Sequence, residues 1–256
     1  MSNYPIGESL PRKDGIAKVT GKTKFGADVN VAGQIYGAIL HSPHAHAKLL
    51  NINVSKAKAF PGVRAVITGA EWGNLFGSMI ADQPVLARGK ARYWGEPVAA
   101  VAADDLRTAK EALRFIEVDY EPLPVIETIE QALKGDVLVH EDWPAYKILG
   151  GVSPVAGTNI VDTFVLKHGD VDKGFELADA VVENEFYCGM LQHVPIETHA
   201  AIATADESSC HIISPAQSPF MIRSMIAEAF GYGIDRVRIT CTDIGGGFGS
   251  KVEPRL

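Results

Sequence analysis

Gly95-Glu96-Pro97-Val98-Ala99-Ala100-Val101-Ala102 holds an unbroken apolar run after a turn-forming glycine, and Asp104-Asp105 follow it closely. A continuous apolar run of this length reads as a strand buried on both faces. Either aspartate can cap a helix that carries Leu106, Ala109, Leu113 and Phe115 at spacings of three and four. Ile116-Glu117-Val118-Asp119-Tyr120 then alternates apolar and acidic residues, as a half-buried strand does, and Pro122 and Pro124 end it. Upstream, Gln34 to Leu40 and Val63 to Thr68 are β-prone runs entered through turn signals. Downstream, residues 126–134 read as a short helix and 135–159 as a connector. Its patternless stretch, Gly150 to Gly157, marks the best domain boundary.

Beyond that boundary, Ile160 to Leu166 and Ala180 to Phe186 read as strands, with a short helix from an Asp170 cap to Ala178 between them. Residues 218–231 give the clearest helix. Ser218 stands at the N-cap, Pro219 sits at the first helical position, and Gly231 lies just past the end. Ile222, Met225, Ile226 and Ala229 share its apolar face, with the methionines read as core. A strand from Arg236 to Thr242 runs directly into Gly245-Gly246-Gly247-Phe248-Gly249-Ser250-Lys251.

The chain has 256 residues, 46% hydrophobic and 21% charged, which fits a folded globular protein of one or two domains. Its 24 basic and 31 acidic residues leave a formal net charge of −7, which argues against a nucleic-acid partner. No apolar run reaches membrane-spanning length, and Met1 to Glu8 lacks the charged and apolar regions of a secretory signal. Cys188, Cys210 and Cys241 are three and widely spaced, so a disulfide framework or an iron–sulfur site within the chain is not expected. A reducing, cytoplasmic setting fits best.

The glycine loop is the strongest local signal. Glycines allow positive φ and close backbone approach, and successive amides can form an anion-binding nest. Two phosphate-loop patterns nearly match and fail. Ser250 precedes Lys251 in the wrong order for a P-loop, and Ser250 stands where a dinucleotide fingerprint needs its third glycine. A glycine turn with no ligand explains the local pattern equally well. In Gln192 to His199 an extended chain would put His193, Pro195, Glu197 and His199 on one face. Metal spacing is lacking, and hydrogen-bonded polar residues are the simpler expectation. His41, His44 and His46 read as turn histidines at a surface or interface. Gln217 offers a donor and an acceptor without ionising.

Taken together and in order, these landmarks resemble a known family. Pro11 to Gly21, Ser42-Pro43-His44-Ala45-His46-Ala47, Gly95 to Ala102 and Val118 to Pro124 are similar to the hammerhead part of the xanthine dehydrogenase/aldehyde oxidase family's molybdenum-binding large subunit. Gly169-Asp170-Val171, His193 with Glu197-Thr198, Gln217, and Gly245 to Gly249 are similar to the opening of its molybdopterin-binding domain. The stretch around Gln217 and the loop resembles carbon monoxide dehydrogenase-like bacterial hydroxylases most. The resemblance implies an α+β chain: a hammerhead domain at residues 12–125, a connector at 126–159, and an incomplete molybdopterin-binding domain at 160–256.

It further implies a hydroxylase or dehydrogenase acting on a small substrate, an aldehyde or N-heterocycle for instance, with oxygen drawn from water. Gln217 would bond an oxygen ligand of molybdenum as the catalytic and cofactor-binding glutamine. Gly246, Gly247, Phe248 and Gly249 would pack against the pterin, and no protein metal ligand is expected. The expected cofactor is molybdenum-molybdopterin, as a cytosine dinucleotide, with [2Fe–2S] clusters and FAD in partner chains. Expected partners are an iron–sulfur subunit, a flavin subunit and a chain carrying the rest of the molybdopterin domain. The family's catalytic glutamate belongs to that remainder, so the sequence reads as a fragment or one piece of a split subunit. Val252 stands where xanthine-type enzymes carry a glutamate, which speaks against purines. The other readings are a non-catalytic hammerhead assembly module and a nucleotide-binding enzyme built on the glycine loop.

Overall fold

The structure, a computed structural model, describes residues 6–141 and 143–254. The start of the segment read for a secretory signal, Met1 to Pro5, and the last two residues lie outside them. The chain groups into two compact units. One is Tyr36–His193; the other joins the residues up to Ile35 with those from Val194 onward.

In the unit Tyr36–His193, six strands are β1 (Tyr36–His41), β2 (Ala47–Asn53), β3 (Val63–Thr68), β4 (Lys90–Ala91), β5 (Pro97–Ala103) and β6 (Glu117–Pro122). They form two antiparallel sheets, ordered β1-β5-β3 and β4-β2-β6. The apolar run is the central strand β5, with Ala100 opposite Ile39 on one side and Ile67 on the other. Ala99, Val101 and Ala103 alternate onto one face and pack with Ala109 and Ala112 of α1 (Leu106–Ala112) and with Ile116. Alanine on both surfaces lets the helix lie close to the sheet. Asp105 is the cap, accepting from the Thr108 amide at 2.8 Å, while Asp104 pairs with Arg64. The α-helix stops at Ala112 rather than Phe115, because Leu113–Phe115 tighten into a 3-10 turn.

Acidic residues of β6 find partners across the strand. Glu121 meets Lys48, Asp119 meets Asn51 and Glu117 meets Asn53. Strand β2 lacks a clean alternation in the sequence, because Leu49-Leu50 interrupts it. The register shifts between Leu49 and Asn51, and Leu50 is the exposed extra residue of a bulge.

The connector has more structure than its composition announced. Asn159 receives the Val139 amide and donates to the carbonyls of Ala132 and Val137. The Trp143 indole donates to Thr158 O, and Lys147–Ile148 pairs with Ile80–Ala81. The helix expected at 126–134 runs Ile129–Lys134 behind a Thr128–Gln131 capping box. Asp170 caps Val171–Glu176, shorter than expected.

The strands expected at Ile160–Leu166 and Ala180–Phe186 are absent. A strand is completed by its neighbours, and among the described residues none runs beside these segments. Phe164, Leu166, Val182 and Phe186 are each more than four-fifths exposed.

In the other unit, β7 (Ile202–Ala205) pairs antiparallel with β8 (Cys210–Ser214), and β9 (Val237–Cys241) lies parallel to β8. Helix α2 (Pro219–Phe230) connects β8 to β9, burying Ile222, Met225 and Ala229. Gly231 ends it in the left-handed conformation at φ 73°, as expected, but the Ser218 hydroxyl makes no capping bond. The strand expected from Arg236 begins at Val237, since Ile234–Arg236 forms a 3-10 turn. Cys210, Ala227 and Val237 form the core here, with Ile212, Ile226 and Ile239 against it.

Candidate functional site

Because β8 and β9 are parallel, with Ser214 opposite Cys241, the loops that leave them emerge at the same edge. The carboxyl ends of parallel strands are where open α/β sheets hold ligands. Gln217 comes from the first loop and the glycine turn from the second. The Gln217 amide donates to Lys251 O at 2.9 Å. Its Oε1 accepts from Gly249 N at 3.1 Å and from Lys251 N at 3.2 Å. Two backbone donors can be met only by the carboxamide oxygen, which fixes the side chain's orientation. The exposed Gln217 thus keeps its NH2 group free of the turn.

The turn demands its glycines. A Cβ on Gly247 would lie 2.4 Å from Gln217 Oε1, and one on Gly245 would lie 2.5 Å from Glu197 Cβ. Gly246 and Gly249 have φ of 95° and 99°. Phe248 sits between them at φ 54°, a strained value for a side chain that is itself exposed. Ser250 closes the turn, with its amide and hydroxyl both donating to Gly247 O. The amides of Gly246, Gly247 and Phe248 donate to no acceptor among the described residues. Three successive amides are thus left without a protein acceptor among the described residues, with Gly247 itself buried and Phe248 exposed, and such a run can serve an anion or an oxygen atom. All five residues singled out from the sequence, Gln217 and Gly246 to Gly249, therefore meet in one place.

A second layer supports them. Glu197 accepts from the amides of Gly26 and Gly245 and from Lys251 Nζ. Burial raises its carboxyl, and the Lys251 ammonium with the two amides outweighs that, so the net displacement is downward. His199 shares a hydrogen bond with Ser250 O at 2.9 Å. Lys18 and Asp243 form an ion pair at 3.0 Å. The single-face arrangement expected for His193, Pro195, Glu197 and His199 does not form. Val194 takes φ 41° and the segment is not a strand, and His193 belongs to the other unit. Glu197 and His199 are nonetheless hydrogen-bonded, as expected. Sequence reasoning missed Lys251, seen only as a misplaced P-loop lysine, and Gly26, which carries no motif at all.

The histidine cluster has no such role. His41 bonds Gly95 O at 2.8 Å, His46 bonds Pro124 O at 2.7 Å, and the His44 ring packs at a tilt against Tyr120. His46 is buried rather than at a surface. Among the described residues no group of three His, Cys, Asp or Glu can hold a metal ion.

Comparison with known proteins places this architecture. The family described as "Aldehyde oxidase and xanthine dehydrogenase, a/b hammerhead domain" matches residues 20–124, and "Molybdopterin cofactor-binding domain" matches residues 152–255. Together these two segments take up most of the chain, which matches the aldehyde oxidase and xanthine dehydrogenase hammerhead domain and then the molybdopterin cofactor-binding domain, in that order. The chain is 34% identical over 251 residues to "Nicotinate dehydrogenase large molybdopterin subunit" of Eubacterium barkeri, covering 97% of this chain and 56% of that one. It is 33% identical over 258 residues to "Carbon monoxide dehydrogenase large chain" of Afipia carboxidovorans, covering 96% of this chain and 32% of that one. The solved structure of quinoline 2-oxidoreductase from Pseudomonas putida 86 superposes with a TM-score of 0.81 at 30% identity, over 98% of this chain and 32% of that one. The chain thus spans from just under a third to just over half of the length of these relatives.

Proposed function

We propose that this chain forms one wall of the cofactor site of a molybdenum hydroxylase. The whole assembly would oxidise a small substrate, such as an aldehyde or an N-heterocycle, with oxygen drawn from water. The observation that carries this reading is the row of free amides at Gly246, Gly247 and Phe248 beside the free carboxamide NH2 of Gln217. All are neutral donors, at a turn where Phe248 and Gly249 are exposed and Gly247 is buried. Such a set suits an oxygen-rich, anionic group that brings its own chelating atoms to the metal. Bound there, molybdenum-molybdopterin supplies the two-electron chemistry that side chains lack. Gln217 would donate from Nε2 to an oxygen of the bound group and, being unable to ionise, would keep its proton there at any working pH. Gly246, Gly247 and Phe248 would donate from the backbone, and Gly249 would admit close approach.

The same reading assigns the pterin a cytosine dinucleotide form, and [2Fe–2S] clusters and FAD to iron–sulfur and flavin subunits. It assigns hammerhead, connector and cofactor-domain roles to residues 12–125, 126–159 and 160–256, and a cytoplasmic location. The bare segments 160–166 and 180–186 are apt places for the rest of the molybdopterin domain to add strands. A nucleotide-binding loop is a poorer fit, since no helix follows the turn as far as Pro254 and the Lys251 ammonium is engaged by Glu197. Purification with all partner chains, followed by metal and pterin analysis, is the test. Molybdenum and pterin should co-purify, and their complete absence overturns the reading.

A further inference from the structure

Beneath the glycine turn lies an ion pair that the cofactor reading above leaves unused. Lys251 Nζ is 2.7 Å from Glu197 Oε2 and 2.9 Å from Glu197 O, with the two side chains only 2% and 9% exposed. Glu197 Oε2 also accepts from Gly245 N at 2.7 Å, and Oε1 accepts from Gly26 N at 2.9 Å. One carboxylate therefore holds the first glycine of the turn, the lysine that follows it, and a segment near the start of the chain. The Lys251 backbone in turn brackets Gln217, donating to its Oε1 and accepting from its N–H. Burying such a pair recovers little net stability, because desolvation opposes the attraction. What it supplies is fixed placement for a turn whose glycines have scant preference of their own.

We propose that Glu197 and Lys251 are positioning residues for the cofactor site, a clamp that rests on the molybdenum reading. Through Gly245 at one end of the turn and Gln217 at the other, it aims the free amides and the carboxamide NH2. Through Gly26 it ties that aim to the N-terminal segment. Neither side chain touches the cofactor; each acts on groups that do.

The test uses the complete complex loaded with cofactor. Lys251→Met alone strands a buried carboxylate, so the decisive arm is the double variant Glu197→Gln/Lys251→Met, which strands no charge. Glu197→Asp keeps the charge and shortens its reach, and decides the matter if the double variant does not fold. Lys48→Met, which breaks an exposed cross-strand pair in the other unit, is the control. Readouts are molybdenum and pterin retained after dialysis, the line shape of the Mo(V) paramagnetic resonance signal, and amide exchange over residues 245–251. The clamp variants should retain cofactor roughly 10- to 100-fold less tightly, as removal of supporting hydrogen bonds around metal sites does. They should also change the line shape and exchange faster at Gly245 and Lys251, while the control changes none of these. A folded clamp variant with wild-type retention and line shape overturns the proposal and leaves the cofactor reading standing. A wild-type complex without molybdenum overturns both.

Discussion

At Gly247 the molecule offers its sharpest test of a single side chain. Adding one methyl group there places it 2.4 Å from Gln217 Oε1, well inside contact distance. Gly247→Ala should therefore displace Gln217 and lower cofactor content, with the melting of the hammerhead unit unchanged; metal analysis beside a melting curve reads both. Phe248→Gly makes the complementary case. Removing an exposed side chain from φ 54° should relieve strain and stabilise the fold by about 1 kcal/mol. It should at the same time weaken cofactor retention, and a variant that gains stability without that loss shows the ring to be idle. The glycine turn and Gln217 were legible because their residue types have few uses in such a cluster. The Glu197 partners were not, since Gly26 stands 171 residues away and a lone glycine carries no message about what its amide meets.

Elements were legible where local pattern and long-range packing agree. The apolar run, the acid-alternating strand and the Pro-to-Gly helix all appear in the structure, each shifted by a few residues. Segments 160–166 and 180–186 failed because apolar character says only that a strand can form, and pairing decides whether it does. Helix α1 meets β5 through fully buried alanines, Ala109 and Ala112 against Ala99 and Ala103. Ala112→Leu should cost about 1–3 kcal/mol in a denaturant melt, since the helix must lift off the sheet to admit the larger side chain.

Within the connector, burial holds the His140 imidazole down at about 4, with Arg92 and Lys90 acting the same way and Glu141 opposing. Asp82 lies 3.7 Å away, and Trp143 and Tyr146 pack around the ring. Folded His140 stays neutral where an unfolded chain would take up a proton. Its contribution is thus complete above pH 6.5 and falls as the pH drops toward 4, by about 3 kcal/mol in all. Urea melts at about pH 7.5 and about pH 4.5 should show that loss in wild type and not in His140→Phe.

On the scale of the whole molecule, the long exposed stretch from Val161 to Leu191 sets behaviour in solution. It carries Phe164, Val165, Leu166, Val182, Phe186, Tyr187 and Met190 in the open. Without partners the chain should self-associate in size-exclusion runs, and brief protease treatment should cut this stretch first. A sharp monomer peak with the stretch intact would contradict the assignment of a missing partner surface.

The Gly26–Glu197 hydrogen bond bears on biosynthesis. Everything from Tyr36 to His193 leaves the ribosome between its two halves, so the hammerhead unit can finish folding while the opening residues still lack their counterpart. Closing so long an intervening loop is entropically slow. Refolding should therefore proceed in two phases, with the later one reporting the capture of the amino-terminal strap by the newly completed turn.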